Sequence, residues 1–177
     1  MVLDLCEIRG SDERVDRVFP ATEFTPEPGD DYSVAEPVSL RSELHKDADR
    51  YRLVGHVESR LRLACSRCLE PFDVPVRVSV DLLFLPHGAN TGDGESEISD
   101  EDLSTAFYRD DQLELGLMIR EQFQLSLPMK PLCRDTCRGL CPMCGLNLNG
   151  ERCSCDTGWR DPRLEALAAL RSDIGKD

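Results

Sequence analysis

Eight of the nine cysteines in this chain fall into two groups with metal-ligand spacing, and no other feature narrows its possible folds as much. Cys65-Ser66-Arg67-Cys68 stands alone, whereas Cys133, Cys137, Cys141, Cys144, Cys153 and Cys155 crowd one short stretch near the C-terminus. Eight thiolates make two complete tetrahedral sets, the donor set of structural zinc. In Cys141-Pro142-Met143-Cys144-Gly145 the glycine permits the positive φ that turns backbone amides toward the thiolates. Cys153-Ser154-Cys155 follows the turn-forming run Asn147-Leu148-Asn149-Gly150. Cys141, Cys144, Cys153 and Cys155 are therefore expected to form one local Zn2+ site.

Cys65, Cys68, Cys133 and Cys137 remain for a second site. It would staple a remote knuckle to the C-terminal module, and metal binding there would add directly to folding. Cys133 and Cys137 lie four apart and share one face of a helical turn. Spacing alone leaves the pairing open, because these two could instead join the local set and leave one ion in the chain. Three rival chemistries share parts of the pattern. Cys137-x3-Cys141-x2-Cys144 has the spacing of the cluster in radical enzymes that use S-adenosylmethionine, but no βαβ alternation is present to build their barrel. A redox dithiol at Cys65 and Cys68 should open a helix, whereas this pair sits between alternating strands. A rubredoxin-type iron centre takes the same four thiolates as zinc. Cys6, the odd cysteine, is read as a small buried hydrophobe.

The formal net charge of −13 opposes indiscriminate binding to a phosphate backbone. Its distribution is uneven. The first fifty residues and the stretch 87–111 are strongly acidic, while the two cysteine-bearing segments carry a basic excess. Arg60, Arg62, Arg67, Arg134, Arg138 and Arg152 flank the knuckles. No apolar run is long enough to span a membrane, and the start Met1-Val2-Leu3-Asp4 lacks a secretory leader. A cytoplasmic chain with reduced, metal-binding thiols is expected. No phosphate loop, nucleophile elbow or His-Glu-x-x-His pattern points to catalysis or a small-molecule substrate.

Residues up to about 35 are poorly periodic, with a short strand expected at Val15–Phe19. Alternation begins at Val38 and, after a turn at Lys46-Asp47-Ala48-Asp49, continues with Tyr51, Leu53, Val57, Leu61 and Leu63 on one face. Gly55 within it marks a bulge or bend. Val74, Val76, Val78, Val80, Leu82 and Phe84 resume the pattern beyond Cys68, predicting a long hairpin with a cysteine knuckle at its tip. The segment 88–102 is an acidic loop, too polar to bury itself. Leu113–Leu127 has helical spacing, with Leu115, Met118, Gln122 and Leu125 as its stripe and Leu117 and Ile119 beside it. Asp161-Pro162 opens a closing helix through Leu170, and Trp159 packs over the cysteine module.

The motifs Cys65-Ser66-Arg67-Cys68-Leu69-Glu70-Pro71-Phe72, Leu127-Pro128-Met129-Lys130-Pro131-Leu132-Cys133 and Cys137-Arg138-Gly139-Leu140-Cys141-Pro142-Met143-Cys144-Gly145-Leu146-Asn147-Leu148-Asn149 resemble the YceD family. The closing Asp161-Pro162-Arg163-Leu164 shares in the resemblance. It implies a non-enzymatic factor supporting accumulation or processing of large-subunit rRNA, with rRNA, a pre-ribosomal particle or a basic ribosomal protein as partner, and it makes Arg60, Arg62, Arg67, Arg134, Arg138 and Arg152 the candidate RNA contacts. An acidic protein-interaction scaffold and an iron-dependent redox protein are the alternatives. The expected fold is α+β: an antiparallel twisted sheet or partly closed β-barrel over residues 1–127, with a packing helix at 113–127. A cysteine-rich zinc module at 128–177 completes it.

Overall fold

The computed structural model describes residues 1–89 and 104–155, so most of the acidic loop, Trp159 and the closing helix lie outside the described residues. Three strands carry the alternation seen in the sequence: β4 (Val38–Asp47), β5 (Arg50–Ala64) and β6 (Pro71–Pro86), numbered in chain order after three short N-terminal strands. On β5 the side chains of Tyr51, Leu53, Val57, Leu61 and Leu63 are buried, while Arg52 and Arg62 between them are exposed. The period of two follows from the pleat, which sends successive side chains to opposite faces. Strand β4 continues through Lys46 and Asp47, so the β4–β5 turn shrinks to Ala48-Asp49, with Ala48 at φ 52°. A two-residue hairpin turn needs positive φ, which explains the left-handed alanine.

The poorly periodic N-terminus supplies β1 (Leu3–Asp4), β2 (Asp12–Phe19) and β3 (Tyr32–Val34). Strand β2 pairs with β4, and β3 takes the edge of β5 beyond the end of β4, facing Leu61–Leu63. Beyond β6, β7 (Thr105–Tyr108) pairs in parallel with it, and β8 (Gln112–Leu113) pairs with β1. The main sheet follows the order β2-β4-β5-β6-β7 and is mixed because of that one parallel strand. Among the described residues its path ends at β2 and β7 and does not close into a barrel.

Gly55 makes no bulge. The pairing Ser42↔Gly55↔Val80 runs in unbroken register with its neighbours on both sides. A Cβ at this position would instead collide with the Arg41 carbonyl oxygen and come within 2.6 Å of the Ser42 Cα. Ser42 cannot yield easily, because its buried hydroxyl donates to the Val15 carbonyl at 2.9 Å. Three strands therefore meet tightly at this point, and only glycine fits.

The helix α1 (Leu115–Ser126) packs against this framework through Leu115, Gly116, Met118, Ile119 and Phe123. Leu125, placed on the stripe by its spacing, is 80% exposed, and Phe123 takes its role with no exposure at all. Both stripes satisfy a helical period; the aromatic neighbours decide between them. Phe123 meets Tyr32 edge-on at 6.2 Å and Phe24 at 6.3 Å, contacts that a ring prefers over isolated burial. Cys6 is likewise exposed rather than buried, because the turn Leu5–Glu7 sends Leu5 inward. The Asp4 carboxylate beside it pushes the Cys6 thiol pKa up, making it a poorer nucleophile.

Arg120 ties α1 to the irregular loop between β2 and β3. Its guanidinium donates to the Thr25 carbonyl at 3.1 Å, lies over the Phe24 ring and sits 3.6 Å from the buried Asp30 carboxylate. Gln124 and the Glu27 amide also donate to Asp30. The loop is thus held by hydrogen bonds to a buried acid, not by periodic apolar contacts.

The chain divides into two compact units. The first comprises Met1–Cys65 with Glu70–Cys133; the second comprises Ser66–Leu69 with the chain from Arg134 onward. Among the described residues no helix is long and apolar enough to cross a membrane.

Two substitutions test the first unit. Gly55→Ala is expected to cost about 1–3 kcal/mol through overpacking against backbone, read as a lower urea midpoint at unchanged m-value. Arg120→Ala is expected to cost about 2 kcal/mol, because it leaves Asp30 buried with fewer donors. A loss no greater than that of an exposed-surface control would show that the Arg120 network is incidental.

Candidate metal centres

The hairpin β5–β6 is paired without interruption from Tyr51↔Phe84 to Ala64↔Pro71, and this register presents Cys65-Ser66-Arg67-Cys68 at its tip. The turn has a defined geometry. The Cys65 amide donates to the Glu70 carbonyl at 2.9 Å, and Leu69 adopts φ 62°. The second knuckle repeats it: the Cys141 amide donates to the Leu146 carbonyl at 2.8 Å, and Gly145 adopts φ 72°. Two Cys-x-x-Cys segments of different sequence thus take one backbone conformation. Glycine allows it at Gly145 without strain, whereas Leu69 enters a region costly for a side chain, of order 1 kcal/mol.

The structure gathers the cysteines into two groups of four. The sulfurs of Cys65, Cys68, Cys133 and Cys137 lie within 4.8 Å of one another, as do those of Cys141, Cys144, Cys153 and Cys155. Of the two pairings that spacing left open, this is the one with a second, long-range set, and the interleaved pairing is not formed. A tetrahedral ion with metal–sulfur bonds of about 2.3 Å requires sulfurs roughly 3.8 Å apart, so both groups are compact enough to hold one. All nine cysteines are free thiols. The first group is largely buried, with Cys65, Cys68 and Cys137 inside and Cys133 half-buried. The second is open: Cys141 alone is buried, while Cys144 and Cys155 are exposed.

Neighbouring polar groups suit thiolates. Asn149 donates from Nδ2 to Cys137 Sγ at 3.3 Å and accepts from the Arg138 amide at 2.9 Å. Asn147 Oδ1 in turn receives the Asn149 amide and its Nδ2, so one short loop orients the donor. Such outer hydrogen bonds fix ligand orientation and raise metal affinity. Sequence reading saw Asn147–Gly150 only as a turn; an asparagine pair two apart beside a cysteine string is the signal it passed over. In the second group, backbone amides of Cys144 and Met143 aimed at Cys141 lower its pKa to about 6. Hydrogen bonds to Cys153 and Cys144 push Cys155 up to about 12. Four thiols in contact cannot all ionise unaided, so an ion entering here must displace protons.

The candidate arginines separate into three kinds. Arg60 pairs with Glu36 at 3.0 Å, and Arg62 makes a two-pronged contact with Asp73, holding that carboxyl below the usual range. Arg67 donates to the Cys137 carbonyl at 2.8 Å and the Asp135 carbonyl at 3.4 Å, and so holds the Cys133–Cys137 turn. Arg134, Arg138 and Arg152 are exposed and have no acidic partner among the described residues. Arg138 and Arg152 border the same depression as Cys141, Cys153 and Cys155.

Comparison with known proteins agrees with this architecture. The family model described as large ribosomal RNA subunit accumulation protein YceD matches residues 53–171, which includes every one of the eight clustered cysteines. The chain belongs to the YceD family. A relative in Arabidopsis thaliana, the chloroplastic large ribosomal RNA subunit accumulation protein YCED homolog 1, is 24% identical over 81% of this chain and 51% of its own length. Its Zea mays counterpart is 26% identical over 67% of this chain and 48% of its own. An uncharacterized Mycobacterium tuberculosis protein is 36% identical over 49% of this chain and 40% of its own length. The chain therefore spans about half the length of the curated relatives it matches. No solved structure matches it.

Native mass spectrometry is expected to find two metal ions per chain, and Cys133→Ser to leave one. Cys144 and Cys155 are exposed to solvent protons, so on acidification the open set should release its ion before the buried set does. Retention of both ions to the same pH would contradict that order.

Proposed function

We propose that this YceD-family chain is a non-enzymatic factor that supports accumulation of large-subunit rRNA by contacting the assembling particle through its cysteine-bearing unit. The observation that carries the reading is the family match, which covers both cysteine groups and whose description names that role. The cysteines are assigned to structure: each set would hold Zn2+ as a closed four-thiolate site with no open position for a substrate. A zinc held by four thiolates keeps two negative charges in excess. The guanidinium groups of Arg138 and Arg152 beside the second set offset that charge and leave a locally neutral or basic surface. A reducing cytoplasmic compartment suits nine free thiols.

Within the candidate arginines, Arg134, Arg138 and Arg152 are the best placed for phosphate, since Arg60 and Arg62 already face carboxylates. Exchanging a carboxylate for a phosphate yields little, whereas an unpartnered guanidinium releases a counterion on binding. Binding of the purified chain to large-subunit rRNA fragments, measured between about 50 and 200 mM salt, tests this. Reversing Arg134, Arg138 and Arg152 to glutamate should lower the salt slope by about 2–3, while Arg60→Ala with Arg62→Ala should change it little. Salt-insensitive binding, or none, would move the contact to a ribosomal protein. A colourless, zinc-loaded sample is expected; visible absorption from iron–thiolate charge transfer would favour the redox alternative.

A further inference from the structure

The two cysteine sets share one short hairpin. Leu140 bridges Asn147 in antiparallel register. The Leu148 amide donates to the Gly139 carbonyl at 2.9 Å, and the Cys141 amide donates to the Leu146 carbonyl at 2.8 Å. Cys137, a ligand of the first set, stands at the open end of this hairpin, whereas Cys141 and Cys144 of the second set stand at its turn. The returning strand leads through Gly150 to Cys153, whose sulfur lies 3.4 Å from those of Cys141 and Cys144. The second set is therefore complete only when the returning strand lies against the outgoing one.

Backbone bonds close the hairpin near its turn, and a side chain closes it at the base. Half-buried Asn149 accepts from the Arg138 amide at 2.9 Å and donates from Nδ2 to Cys137 Sγ at 3.3 Å. The outgoing strand is anchored in turn by the first knuckle. The Leu140 amide donates to the Arg67 carbonyl at 3.2 Å, and the Arg67 guanidinium holds the Cys137 carbonyl at 2.8 Å. Gly139 permits this approach, since a Cβ there would sit 3.0 Å from the Arg67 carbonyl oxygen. An ion in the first set fixes Cys137 Sγ in place and leaves it anionic. A hydrogen bond to a charged acceptor is about twice as strong as one to a neutral group. The contact that closes the hairpin is thus stronger when the first set is filled.

We propose that Asn149 couples the two metal sites, so that an ion in the first set raises the affinity of the second. Coupling of binding sites is reciprocal, so an ion in the second set raises the affinity of the first by the same factor. A difference of one hydrogen bond gives a factor of about five to ten. Asn149 is a positioning residue, acting on the second set through the hairpin and not as a ligand. The inference rests on both sets holding Zn2+ and is independent of the RNA reading.

The test titrates the full, zinc-loaded chain with a chelator of known zinc affinity. Occupancy of each set is read separately by thiol alkylation and peptide mapping. Cys133→Ser disables the first set and should weaken zinc at the second about five- to tenfold, although it alters none of that set's ligands. Asn149→Ala should weaken the second set by a similar factor, but by less than about twofold once Cys133→Ser is present. A residue that merely supported the loop would weaken the second set equally in both backgrounds. In the reciprocal arm, Cys144→Ser with Cys155→Ser, both at exposed positions, should weaken the first set by the same factor. That arm decides the matter even where Cys133→Ser does not fold. Unchanged affinity of the intact set in either direction, or an equal effect of Asn149→Ala in both backgrounds, overturns the proposal. Two ions bound independently would leave the zinc assignment standing, whereas a chain that binds fewer than two would sink both.

Discussion

One-sided burial along β5 is the constraint on which the first unit depends. Its apolar face is covered by α1 and the aromatic residues of the N-terminal loop, and its two edges are taken by β4 with β3 and by β6. A register slip of one residue would send Leu53, Val57, Leu61 and Leu63 into solvent and bury Arg52, Arg60 and Arg62. The crowding at Gly55 adds a second lock, because only one residue of β5 can sit opposite Ser42. The same register determines where Cys65 and Cys68 emerge. The position of the first knuckle is thus a consequence of strand register and packing, not of metal chemistry.

The two cysteine sets have different environments and therefore different expected behaviour. Burial of Cys65, Cys68 and Cys137 excludes water and competing protons, the setting of a folding element. Exposure of Cys144 and Cys155 leaves the other set open to exchange. The bordering arginines follow from the same electrostatics: a dianionic tetrathiolate draws cations, and any remaining positive potential is what a nucleic acid would meet.

Legibility varied along the chain with the kind of force that orders each part. The strands from Val38 to Phe84 were readable because half-buried strands write a period of two into the sequence. The N-terminal strands were less so: β2 is exposed on most of its length, and the loop before β3 is held by Arg120, Asp30 and backbone amides. Hydrogen bonds of that type leave no periodic trace. Strand β7 is parallel and four residues long, too short to announce itself. The eight clustered cysteines were legible from spacing, but Asn149 was not, since its role depends on a loop folding back onto Cys137.

By itself the sequence determined the strand hairpin, the helix and the eight clustered cysteines, because pleat, helical period and the reach of a Cys-x-x-Cys turn are local properties, while it left the partners of Cys133 and Cys137 open. Only tertiary structure decided that Phe123 and not Leu125 faces inward, that Cys6 points out, and that β7 joins β6 in parallel. It also decided which arginines are already engaged. Those outcomes turn on which partner surface a residue meets, and neither spacing nor composition records a neighbour tens of residues away.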